Sequence, residues 1–317
     1  MTTTPAHEEV ATNQLSDVNA RTRRPTGETA RDRLLTGMPL TERRLELAGV
    51  STAVLEGGSG TPVVLLHGAG EFAAVWMRVF PDLVRTHRVV VPDLPGHGAS
   101  VVPGDPPDAD RVAAWLGELI ERTCPLPPAL VGHGLGGAVA ARFAADQGDR
   151  VAGLVLVDSY GLGRFRPTAR FALAMLGVIV RPTERTQERL LRQCVADLDG
   201  LREQLGEWGA QLEAYALDGS RSPGQKAALR TLMPRLGLSV IAPAELARIA
   251  VPTTLIWGRH DRQVRLGVAQ AASARHGWPL HVIEDAGDDP AVEQPDAFLR
   301  RLHAALGPAA STSRTRP

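Results

Sequence analysis

Short, continuous apolar runs alternate along the middle of this chain with longer stretches of helical period. Pro62 to Leu66, Arg88 to Val91, Ala129 to Val131, Leu154 to Val157, Thr253 to Gly258 and Leu280 to Ile283 read as strands. Their unbroken apolar character fits strands buried on both faces of a parallel sheet. Arg44 to Val50 and Thr52 to Leu55 read as a hairpin ahead of them. Between the runs, Trp76 to Leu83, Asp110 to Arg122, Ala138 to Ala145 and Ala297 to Leu306 carry helical spacing. Strands alternating with helices imply right-handed crossovers and an α/β fold with a mainly parallel twisted sheet flanked by helices.

The alternation stops near Gly161 and resumes at Thr253. The intervening residues, 162–247, have an almost purely helical pattern punctuated by Pro167, Pro182, Pro223 and Pro234 near helix boundaries. Such an insertion cannot join the sheet and is expected to cap one edge. The core is therefore assigned to residues 43–161 and 248–307. Residues 1–42 and 308–317 lack sustained periodicity and read as disordered tails, with a short helix near Arg31 to Leu35.

Composition narrows the function classes. With 35 basic and 35 acidic residues, net charge is zero, so neither nucleic acid nor an anionic membrane is expected as the main partner. A small-molecule substrate or ligand is. No apolar run suits a secretory signal or a bilayer span, which makes the cytoplasm the default compartment. Cys124 and Cys194 form no disulfide framework. No His, Cys or carboxylate set has metal-ligand spacing, and no cofactor motif stands out.

The most specific chemistry lies in Gly132-His133-Gly134-Leu135-Gly136-Gly137, between a strand and a helix. That context matches a nucleophile elbow, G-x-S-x-G, with Gly134 where the serine is expected. Together with His67-Gly68-Ala69-Gly70, Asp93, Gly96-His97-Gly98, Trp257-Gly258, Asp261 and Glu293-Gln294-Pro295, the chain resembles the α/β-hydrolase superfamily. Specifically, it resembles the capped small-molecule branch, whose helical cap lies between the sixth and seventh core strands. The resemblance implies a Ser-His-acid triad, of which Asp261 matches the acid. Gly134 offers no attacking atom, and Asp288 follows Gly287 where the family's histidine base is expected.

The expected site is therefore a degenerate triad. Asp261 and Asp288, with His260 as the nearest remaining imidazole, are candidates for proton transfer. The resemblance further implies an oxyanion hole from the backbone N–H groups of Ala69 and Leu135. Phe72, Trp76, Tyr160, Phe165, Trp208 and Tyr215 are candidates to line a pocket beneath the cap, with ordinary core packing the alternative for each. His67, His97 and His133 read as structural histidines. The leading expectation is a non-covalent acid/base enzyme acting on a small apolar metabolite, as an isomerase, cyclase, dehydratase or lyase. The alternatives are a catalytically dead binding or scaffold pseudo-hydrolase, and a slow hydrolase using carboxylate-activated water.

Overall fold

In a computed structural model of the chain, which describes residues 27–307, eight strands form one sheet. They are β1 (Thr41–Leu47), β2 (Val50–Gly57), β3 (Thr61–Leu66), β4 (His87–Pro92), β5 (Ala129–His133), β6 (Gly153–Val157), β7 (Thr253–Gly258) and β8 (Leu280–Ile283). Their spatial order is β1-β2-β4-β3-β5-β6-β7-β8. β1 and β2 form the expected hairpin, β2 meets β4 antiparallel, and the remaining pairs are parallel.

Alternation along the strands sorts the core into two layers. Val64 and Leu66 of β3 face a layer built from α3 (Ala109–Thr123) and α4 (Gly134–Asp146), with Trp115, Leu119 and Phe143 at its centre. Val63 and Leu65 face the opposite layer. It is filled by α2 (Phe80–Leu83), by α12 (Pro295–Leu306) with Phe298 and Leu302, and by the turn around Trp76. The glycines flanking the elbow let α4 sit directly on the sheet. A Cβ on Gly132 would lie 2.5 Å from the Gly136 carbonyl oxygen, and one on Gly136 would lie 2.5 Å from that of Leu66.

Helices fill the interval between β6 and β7. They are α5 (Ala169–Val180), α6 (Glu184–Cys194), α7 (Leu198–Arg221), α8 (Pro223–Leu232) and α9 (Pro243–Leu246). Thr168 caps α5 by accepting from the Phe171 N–H, and Asp197 caps α7 by accepting from Gly200. α7 is broken at Gly206, whose φ of 53° leaves the helical region. After β7 come α10 (Leu266–His276) and the short α11 (Pro290–Glu293).

The N-terminal expectation needs correcting. Residues 1–26 and 308–317 lie outside the described residues, but residues 27–42 are structured. Helix α1 (Gly27–Leu35) buries Ala30 and Leu34 and docks on α7 of the cap. Arg31 is the anchor: its guanidinium reaches the buried Asp93 at 2.9 Å and Glu42 at 2.9 Å. The short helix expected near Arg31 to Leu35 is present, but its docking through Ala30, Leu34 and Arg31 involves distant partners that local pattern does not contain.

Two aromatic candidates are also used here rather than in a pocket. The Trp208 indole N–H donates to the Leu34 carbonyl at 3.3 Å, and Tyr215 accepts from Arg31 while meeting Phe72 edge-on at 4.3 Å. Trp76 is fully inside the core, against Phe298. Phe72, Trp76, Trp208 and Tyr215 are therefore packing residues.

Removing Arg31 leaves Asp93 buried without its counter-charge. Arg31→Ala is expected to destabilise the fold by about 3 kcal/mol, whereas truncating the more exposed Glu42 costs under about 1 kcal/mol. Urea denaturation of both variants checks the difference.

Candidate active site

A small cavity opens at the C-terminal ends of β3, β5 and β6, where open α/β sheets carry their sites. It is lined by Gly68, Ala69, Glu71, His133, Gly134, Asp158, Tyr160, Gln263 and Asp288. Its volume, about 20 Å³, holds about one water molecule.

His133 ends β5 and caps α4, so its ring stands at the cavity wall. Nδ1 lies 3.0 Å from Glu71 Oε2, and Nε2 lies 2.5 Å from the backbone carbonyl of Asp288. Both partners are acceptors, so the ring is held as an imidazolium donating twice. Burial opposes that charge, but the Glu71 carboxylate outweighs it and the His133 pKa stands well above the usual value. Burial likewise pushes Glu71 up, and the charge and hydrogen bond of His133 carry it below its usual range. Glu71 Oε2 also accepts the Gly68 N–H at 2.6 Å, which ties the turn after β3 to the elbow.

Gly134 follows at the strand-to-helix junction with φ of 49°. A Cβ there would meet only Gly68 Cα at 3.5 Å and the Tyr160 ring at 3.7 Å, both ordinary contacts. Space for a side chain thus exists, and the cost of filling it is backbone strain of about 1–3 kcal/mol.

Carboxyls surround this point. Asp288 lines the cavity from the loop after β8. Burial, then the charge of Asp261, raise its pKa to about 7. Asp261 sits behind, in contact with Asp158, and burial raises it to about 6 against backbone donors. Its Oδ1 accepts the N–H groups of Gln263 at 2.6 Å and Val264 at 2.9 Å. Asp158 follows β6 with φ of 41° and accepts the Gly258 N–H at 3.0 Å. Burial and Asp261 push it well above its usual range. The second oxygens of Asp158 and Asp261 are both buried without a heteroatom donor, the arrangement of a carboxyl pair sharing a proton. The loop is clamped by Glu293, which accepts from Gly287 at 2.8 Å and from Ala196 of the cap at 2.7 Å. A chain of contacts also enters from the cap side. The Tyr160 hydroxyl donates to Gln263 Oε1 at 2.5 Å, Gln263 Nε2 approaches Cys194 Sγ at 3.8 Å, and the Cys194 thiol bonds Asp288.

Several sequence expectations change here. His260 is exposed on the loop after β7, held by its backbone to Ala286, and does not reach the cavity. The residue next to Asp261 points outward because Asp261 itself turns in. Arg259 pairs with Glu284, and Arg262 donates to the Arg192 and Gln193 carbonyls, so neither neutralises the carboxyls. Tyr160 does line the cavity. Phe165 packs edge-on against Tyr160 and stands one layer back. His67 and His97 are buried in the turns, His67 accepting the Leu94 N–H through Nε2. His133, read as structural, belongs to the site, together with Glu71 and Asp158, which sequence reasoning missed. The signal available for the last two was their place in the loops that follow β3 and β6. Among the described residues, no three His, Cys, Asp or Glu side chains are disposed to hold a metal ion.

A family model described as "Alpha/beta hydrolase family" matches residues 63–301, and the chain belongs to that family. The chain is 32% identical over 253 residues to a pimeloyl-[acyl-carrier protein] methyl ester esterase of Chromobacterium violaceum, covering 77% of this chain and 94% of that one. It is 28% identical over 274 residues to a 2-hydroxymuconate semialdehyde hydrolase of Pseudomonas sp. strain CF600, covering 81% and 90%. A 2-hydroxy-6-oxo-6-phenylhexa-2,4-dienoate hydrolase of Rhodococcus sp. strain RHA1 superposes with TM-score 0.73 at 24% identity, covering 84% and 98%. The last similarity concerns the fold.

The raised carboxyl pKa values carry a stability signature. An acid whose folded pKa exceeds its unfolded value binds more protons folded than unfolded between the two, so stability falls as pH rises through that window. For Asp288 the window runs from its usual 3.8 to about 7. Asp288→Asn is expected to raise the melting temperature at pH 8, by at least about 1 kcal/mol of stability, and to give no gain near pH 4. Thermal scans at the two pH values check it.

Proposed function

We propose that this protein is a hydrolase that cleaves an ester by direct attack of water, without a covalent intermediate. The observation that carries the reading is the Asp288 carboxyl at the cavity wall, with a pKa of about 7, beside space for one water molecule. A group poised near the working pH is suited to both halves of proton transfer. Ionised Asp288 takes a proton from the water as its oxygen bonds to the ester carbonyl carbon. The carbonyl oxygen becomes an oxyanion, held by the Ala69 and Leu135 N–H groups at the positive end of α4. Collapse breaks the bond to the alcohol oxygen, and protonated Asp288 returns the proton to that leaving group. The charge of Asp261 keeps Asp288 basic, and His133 fixes the loop that bears it.

Gly134 is consistent with this scheme, since nothing on the elbow need attack. In the family's terms the triad is degenerate, with Gly134 for serine and Asp288 for histidine. The same acid/base group suits isomerisation, cyclisation, dehydration or lyase chemistry. Hydrolysis is preferred because the named relatives are esterases and hydrolases. A second reading, a catalytically dead scaffold pseudo-hydrolase, is favoured by the small size of the cavity.

Purified protein screened against small esters tests the proposal. Turnover should rise through about pH 7, fall about 10²- to 10⁴-fold in Asp288→Asn, and leave no serine labelled by a fluorophosphonate. A labelled serine in the cleft removes the non-covalent mechanism, and absence of turnover favours the scaffold. Gly134→Ser alone should give no acyl-enzyme burst in stopped-flow assays, because both His133 nitrogens are engaged and neither accepts its proton.

A further inference from the structure

Helix α5 inverts the pattern expected of a surface helix. Its sequence, Ala169-Arg-Phe-Ala-Leu-Ala-Met-Leu-Gly-Val-Ile-Val180, is apolar almost throughout, yet Phe171 is its only buried residue. Leu173, Leu176, Ile179 and Val180 are 71%, 53%, 64% and 74% exposed. Their spacing, three to four residues apart, sets them in one stripe along the helix, and the stripe faces solvent rather than the cap. Four of the eight large exposed hydrophobic side chains of the described residues lie on these three turns. Scattered apolar residues need no explanation, but a contiguous stripe marks a surface that something else covers.

The flanks say what covers it. From Ser159 to Thr183 there is no Asp or Glu, while Arg164, Arg166, Arg170 and Arg181 bracket the helix at both ends. All four are exposed, and none takes part in an ion pair among the described residues. The chain is neutral as a whole, so this is a local excess of positive charge. A second copy of the chain meets the stripe poorly, because a two-fold contact would bring the arginines of both copies together. The stripe itself is aliphatic, without the Tyr, Trp or polar groups that give a protein interface direction. Aliphatic side chains between arginines match hydrocarbon beneath anionic headgroups.

We infer that α5 docks the cap on an anionic lipid surface, lying in the interfacial plane with Leu173, Leu176, Ile179 and Val180 inserted and the flanking arginines on the headgroups. Among the described residues no helix is long and apolar enough to cross a membrane, so the contact is peripheral. α5 begins nine residues after Tyr160 of the cavity wall and leads into α6, which ends at Cys194. The inference stands apart from the ester chemistry proposed for the site.

The full-length protein should float with phosphatidylcholine vesicles containing 30 mol % phosphatidylglycerol (about that proportion suits an anionic leaflet) and remain unbound with pure phosphatidylcholine. Partitioning should fall at least about tenfold in L176E/I179E, a loss of roughly 1.4 kcal/mol or more. It should weaken in R170E/R181E and at high salt, as screened headgroup attraction requires. Because these positions are exposed, each variant should keep the parent melting temperature. Three results overturn the inference: no flotation with anionic vesicles, flotation undiminished in L176E/I179E, or a dimer in sedimentation velocity that L176E/I179E dissolves while vesicles are ignored. Ester turnover is not a readout, so failure here leaves the hydrolase proposal standing.

Discussion

The two ring nitrogens of His133 hold the site together. Through Nδ1 the ring meets Glu71, which in turn holds the turn after β3 by the Gly68 N–H. Through Nε2 it meets the Asp288 carbonyl, on the loop after the last strand. Three segments far apart in the chain are thereby fixed around the elbow, with a single positive charge among them. Each hydrogen bond requires a proton on the ring, and the Glu71 carboxylate keeps it there against the cost of burial. An imidazolium so engaged positions its neighbours and has no free nitrogen to act as a base.

That arrangement shifts proton transfer onto the carboxyls. One imidazolium cannot neutralise Glu71, Asp158, Asp261 and Asp288 together, and desolvation disfavours their charged forms. The protein resolves this by distributing protons. Asp158 and Asp261 face each other with oxygens that lack other donors, and burial raises the Asp288 pKa to about 7. Such a cluster lowers stability at high pH, as functional sites commonly do. Asp158 adds to the strain with its positive φ, tolerated because the Gly258 N–H pins its carboxylate. Gly134 is accommodated without strain of that kind, since glycine takes positive φ at little steric cost.

The cap serves two environments. Its inner side brings Cys194 up to Gln263 behind the cavity and, through Ala196, gives a donor to the Glu293 clamp. Its outer side presents α5, whose apolar stripe would ordinarily be the buried one. α1 joins cap to core on a third side, with Arg31 bridging to Asp93 beneath the sheet's edge. Aromatic residues that suggest a pocket when read along the chain, Trp208 and Tyr215, are consumed by this junction.

The strands, the helical insertion and the bare elbow were legible from local pattern. Period, glycine spacing and the identity of Gly134 and Asp288 are properties of a few neighbouring residues, and the backbone geometry they demand admits few alternatives. The approach of Asp261 to Asp288 followed from the family resemblance, which supplies the spatial order of strands that local pattern lacks. The role of His133 was not, since a histidine reads alike whether its ring turns to the core or to a cavity. Glu71 and Asp158 were invisible for the same reason, and His260 was misjudged because adjacent loop residues point in opposite directions. The docking of residues 27–35 rests on the burial of Ala30 and Leu34 and on an ion pair spanning the chain, which no local window contains. Local residues decide which elements form, whereas charge pairing, burial and the facing of α5 depend on contacts between distant segments and so were decided only when the chain closed on itself.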